Sequence, residues 1–139
     1  MKNFLKILIL SFILLNTSNL TIASEKIKIG LLVPLSGEKK QLGQSMIRAT
    51  RLALIDINSE QIEIIPKDTK SNPETTYKAA TELKKLGVKI VVGPIFHKSL
   101  SNLNQINDMT FVSLTNKIIN IPKNVITAGI DSNSQLKTI

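Results

Sequence analysis

The residues able to do chemistry in this chain are few and mostly uncharged. Ser36, Ser99, Ser113, Thr115 and Asn116 fall at or just after runs that read as strands, where hydroxyls and backbone N–H groups can meet a small polar solute. Each is also an ordinary residue of turns and caps, so the signal lies in their shared position and not in their type. His97 is the sole histidine, set in a loop beside Lys98 and Ser99 where it can touch a ligand or simply be solvated. One His and no Cys leave only scattered carboxylates for a zinc site. There is no G-x-S-x-G elbow and no thiol nucleophile for hydrolysis. "GEKKQLGQS", Gly37 to Ser45, resembles a triphosphate loop, but five residues separate its glycines and Gln44 stands where the phosphate-binding lysine belongs. No G-x-G-x-x-G follows any strand, and Pro34 and Leu35 occupy the place where a phospho-acceptor domain carries acids. Lys39 and Lys40 read as a solvated rim, and Tyr77 and Phe96 as packing residues. These residues point to non-covalent recognition, with no catalytic residue, cofactor or metal expected.

Composition narrows the partner. The 139-residue chain carries a formal net charge of +8. Its lysines are dispersed, and with one Tyr, four Phe and no Trp there is little to stack bases on, so nucleic acid is not expected. Lys2 and Lys6 precede an apolar run from Ile7 to Leu15, and Thr21-Ile22-Ala23 offers small residues at the positions a signal peptidase reads. The run is shorter than the roughly 20 residues a membrane span needs. Residues 1–23 are therefore expected to be a cleavable signal peptide, contacting membrane only before cleavage, with 24–139 as the folded part. Without cysteine there is neither a disulfide framework nor a lipid-modified thiol, so that part is expected to be free in the periplasm.

Positioning these loops falls to alternating strands and helices. Ile27 to Leu35 is a β-type run, and Leu42, Met46, Ala49, Ala53 and Ile57 recur at helical spacing, predicting an amphipathic helix over 43–58 with that stripe buried. Gln61 to Pro66 reads as a second strand. Asn72-Pro73-Glu74 supplies an N-cap, a first-turn proline and an acid at the positive helix end, and Gly87 closes a second helix whose stripe is Ala79, Ala80, Leu83 and Leu86. Val88 to Val92, Met109 to Leu114 and Val125 to Ile130 predict three more strands, with a short helix over 99–107 and another starting after Asp131. This alternation implies α/β architecture, a doubly wound, mainly parallel sheet covered on both faces. Ligands then sit beyond the carboxyl ends of the strands, between the first and third, which singles out the loops 35–44 and 93–99.

"IKIGLLVPLSGEKKQLGQSMIRATRLALIDIN" followed by "IEIIPKDTKSNPETTYKAATELKKLGVKIVVGP" resembles the start of a type I periplasmic binding protein of the leucine-binding family. The likeness runs from about Lys26 to the end. It implies an incomplete first lobe of a two-lobed protein that closes on a small polar solute, such as an amino acid, and delivers it to the membrane permease of an ABC transporter without covalent chemistry. Ser36, Gly37, His97, Ser99, Ser113 and Thr115 would then be its ligand-binding residues, with the Pro-Leu-Ser-Gly loop as one lip of the cleft. His97 stands where amino-acid-binding members carry a serine for the ligand carboxylate, with Ser99 two residues later. In this, in the short segment after Asn58, and in "VSLTN" and "VITAGIDSNSQLKTI", the chain is more similar to the penicillin-binding protein activators, whose partner is a cell-wall synthase. Because the likeness covers only the first part of the family's length, the lobe is expected to be marginally stable and prone to associate.

Overall fold

The computed structural model describes residues 25–129. The predicted signal peptide and the helix predicted after Asp131 lie outside them. Five strands, β1 (Ile27–Val33), β2 (Ile62–Asp68), β3 (Ile90–Val92), β4 (Thr110–Ser113) and β5 (Val125–Thr127), form one sheet. Its order is β2-β1-β3-β4-β5 and every neighbouring pair is parallel. The chain steps from β1 to β2 on one side, then crosses back to β3 on the other, so the winding reverses between β1 and β3 as expected. That reversal places the helices α1 (Lys40–Ile57) and α2 (Pro73–Lys85) on opposite faces.

The α2 helix forms where its end signals fall. Asn72 accepts the Thr75 N–H at 3.1 Å, Pro73 opens the first turn, and Gly87 takes a left-handed φ of 81° just past the end. Its inward residues Ala79, Ala80 and Leu83 pack on Leu32, Val91, Phe111 and Val125, with Leu100, Leu103, Ile106 and Met109 closing the same core, whereas Leu86, expected in that stripe, lies past the last helical turn and is exposed. The segment expected as one short helix over 99–107 is instead two short 3₁₀ turns, His97–Leu100 and Leu103–Gln105. Asn124 ties the second turn to the β5 approach by donating to the carbonyls of Leu103 and Ile106.

The other face differs. In α1 the buried residue is Gly43, which lies so close to the Pro34 carbonyl that a Cβ there would collide with it. Half-buried Ile47, Thr50 and Leu54 face Leu31, Ile64 and Pro66 of β1 and β2. The stripe predicted to be buried is not: Leu42, Ala49, Ala53 and Ile57 are exposed and Met46 is half-buried. The helix covers only β1 and β2, and among the described residues nothing covers the same face of β3 to β5.

Candidate functional site

The polar loops collect beyond the carboxyl ends of β1 to β4. There an open depression of about 710 Å³ is lined by Lys39, Ser71, Ile95, Phe96, His97, Lys98 and residues 114–117. Its lining mixes half-buried apolar Ile95, Phe96 and Leu114 with Asn116, three lysines and buried Thr115. A hollow of about 860 Å³ at the opposite end of β1 and β2 is lined by the α1–β2 turn and holds none of the expected residues.

Asp68, the last residue of β2, organises one wall. It sits beside the end of β1 because parallel register pairs Val33 with Asp68. Its carboxylate accepts the Leu35 N–H at 2.8 Å, the Ser36 hydroxyl at 2.6 Å and the Lys70 N–H at 2.8 Å. Partial burial would raise its pKa, but hydrogen bonds from the Ser36 hydroxyl and from the Leu35, Lys70 and Ser36 amides outweigh this and hold the carboxyl below the usual aspartate range. The same contacts support Lys70 and Ser71 in left-handed backbone at φ 48° and 55°, which non-glycine residues adopt rarely. Asp68 thus fixes both the Pro-Leu-Ser-Gly loop and the loop that brings Ser71 to the depression. Sequence reasoning passed over it. A signal was available, an acid ending the strand next to β1, with the unbonded amides of a Ser-Gly loop in reach.

Of the six expected ligand-binding residues, the fold brings His97 and Thr115 together at the depression. His97 Nε2 lies 2.7 Å from the Ile119 carbonyl, pinning the loop after β4. Thr115 is buried and its hydroxyl oxygen accepts the Lys117 N–H at 3.3 Å. Ser113 is buried and donates to the Pro94 carbonyl at 2.6 Å, joining the ends of β3 and β4. Ser36 is held by Asp68, so its hydroxyl proton is already engaged. Gly37 is an exposed turn residue with φ 74°. Ser99 is 1 % exposed, does not line the depression, and its Oγ has no hydrogen-bond partner among the described residues. Among those residues no three His, Cys, Asp or Glu side chains gather as a metal site would require.

A parallel sheet whose polar loops converge at its switch point has the open α/β architecture, in which ligands sit beyond the carboxyl ends of the strands. The chain belongs to the periplasmic binding protein family: residues 26–136 match the family model described as "Periplasmic binding protein". No curated protein sequence matches it. Among solved structures, full-length LpoA of Haemophilus influenzae is 27% identical with a TM-score of 0.61 over 77% of this chain and 20% of its own. The C-domain of that protein, described as a regulator of PBP1A, is 27% identical with a TM-score of 0.61 over 74% of this chain and 32% of its own. LivJ, the branched-chain amino acid transporter substrate-binding protein of Streptococcus pneumoniae in complex with isoleucine, shares the fold at 22% identity and a TM-score of 0.66, over 77% of this chain and 34% of its own. The chain therefore spans 20% of full-length LpoA and about a third of the other two. The fold is that of a type I periplasmic binding protein lobe in its N-terminal part, and the family comprises periplasmic or envelope-associated binding proteins and regulators.

Proposed function

We propose that this protein is an exported, non-catalytic regulator of the LpoA kind, whose partner is a cell-wall synthase of the PBP1A class. The state of the hydroxyls around the depression carries this reading. Ser36 is bonded to Asp68, Ser113 to the Pro94 carbonyl, and Ser99 is turned into the protein. The Ser36 and Ser113 hydroxyls that a solute would need already brace loops against one another, and releasing them would leave their acceptors unsatisfied at about 1–3 kcal/mol each. A braced, lysine-rimmed surface suits a protein partner better than a small solute. Higher identity to LpoA than to LivJ supports the same assignment.

A second reading keeps one specific observation in its favour. The depression combines apolar Ile95, Phe96 and Leu114 with Thr115 and Asn116 at the switch point, where a small solute delivered to an ABC transporter permease would bind. Two measurements separate the readings. Purified PBP1A-class synthase should bind the immobilised chain and change its glycan-polymerising rate. The chain's melting temperature should stay constant across amino acids and small carboxylates. A rise with one solute class, with no synthase binding, would replace the first reading by the second.

A further inference from the structure

The loop between β4 and β5 carries three of the residues that line the depression, Thr115, Asn116 and Lys117. Its two ends are fixed locally. After β4, the Thr115 N–H donates to the Ser113 hydroxyl oxygen and the Lys117 N–H to the Thr115 hydroxyl oxygen, each at 3.3 Å. Before β5, Ile121 packs on the core and the Asn124 side chain donates to the Leu103 and Ile106 carbonyls. Between those ends, residues 118–120 are tied to the rest of the described structure by one hydrogen bond, from His97 Nε2 to the Ile119 carbonyl at 2.7 Å. Asn120 there holds a left-handed φ of 55°, a conformation that persists only where neighbouring contacts impose it.

The acceptor fixes the chemistry of the ring. A carbonyl oxygen only accepts, so the nitrogen beside it carries the hydrogen and the neutral ring is the Nε2–H tautomer. His97 opens the 3₁₀ turn after β3, whose next residues Ser99 and Leu100 are buried, so the ring stands on a fixed base while Ile119 rides on a loop. The bond therefore constrains the loop and not the histidine. The ring also lines both the depression and a neighbouring hollow of about 530 Å³ beside Pro73 and Asn120, which puts the bond between the two.

We infer that His97 is a positioning residue, a latch from the end of β3 to the loop after β4 that holds Thr115, Asn116 and Lys117 in place for recognition. It is neither a solvated loop residue nor a ligand contact through Nε2, whose hydrogen is already engaged. The inference rests on the reading that the depression is where the synthase docks. One such hydrogen bond shifts the ratio of held to released loop by about two- to tenfold. The bond preorganises the loop without locking it, and the apparent affinity for a partner scales with the fraction that is latched.

The test uses the whole purified protein. Because His97 is the sole histidine, its ring gives one set of nitrogen resonances, which on the alkaline side of neutrality should show the hydrogen on Nε2 and a bare Nδ1. Trypsin should cut after Lys117 about two- to tenfold faster in His97→Ala than in wild type. His97→Gln, whose side-chain N–H has a similar reach, should return to the wild-type rate, and cleavage after Lys85 at the end of α2 should be the same in all three. Affinity for a PBP1A-class synthase should follow the same order, weaker by about two- to tenfold in His97→Ala and restored in His97→Gln. An Nδ1–H tautomer, or equal cleavage after Lys117 in wild type and His97→Ala, would overturn the latch. Faster cleavage at unchanged synthase affinity would overturn its part in recognition. A wild type that binds no synthase would overturn the proposed function and that part with it, while the ring signals and cleavage rates decide the latch by themselves.

Discussion

The two faces of this sheet are made of similar residues and reach opposite states. On the α2 face, Leu32, Val91, Phe111 and Val125 are at most 8 % exposed beneath a capped helix and two 3₁₀ turns. On the α1 face, the neighbouring residues Ile90 and Ile126 are about half exposed among the described residues, beside a helix whose own apolar stripe is exposed among them too. An apolar pattern thus states that a surface needs a partner. It does not state that the same stretch of chain supplies one.

Substitutions on the two faces can break or sharpen that contrast. The largest effect is expected at Phe111, fully buried on the α2 face, where Phe111→Ala should cost about 3–5 kcal/mol in urea unfolding through the cavity it leaves. Next comes the seam by which α1 meets the sheet. Gly43→Ala drives a Cβ into the Pro34 carbonyl and should cost about 1–3 kcal/mol, readable as a lowered midpoint at unchanged slope.

Asp68→Ala removes the acceptor for the Leu35 and Lys70 amides and the Ser36 hydroxyl, with a loss of about 1–3 kcal/mol. Its pH dependence has a definite sign. The folded carboxyl titrates below its unfolded value, so its contribution is complete above the ordinary aspartate pKa of about 3.9 and fades as pH falls through the lowered folded value. The gap between wild type and Asp68→Ala should accordingly narrow in unfolding curves taken below about pH 4. A gap constant down to pH 2 would mean that the carboxylate charge is not what braces the loop.

Asn72→Ala should cost about 1 kcal/mol by removing the α2 cap. The smallest effect belongs to the open face. Ile90→Ala should change unfolding by no more than about 0.5 kcal/mol. A loss there as large as at Phe111 would show that the face is covered within the monomer and erase the contrast.

Most strands and α2 were legible in the sequence because their signals are local. A β-rich run bounded by turn residues, an Asn-Pro-Glu start and a Gly stop act within a few residues of where they stand. The loops at the switch point were legible too, since strand alternation alone dictates where a parallel sheet opens. The separate roles of the hydroxyls were not. Ser36 and Thr115 read alike as residues after strands, yet one is bound to a carboxylate 32 residues further on and the other lines the depression.

By itself, then, the sequence determined the order of the five strands and two long helices, the parallel α/β architecture and the end of the sheet at which polar loops gather, because each follows from short-range backbone preference and hydrophobic period. Tertiary structure alone decided that Asp68 reaches across to brace the first loop and that Ser99 turns inward. It also decided that the stripe of α1 does not face into the sheet. Those outcomes depend on register and on which strands a helix overlies, and both are fixed only when distant segments pack.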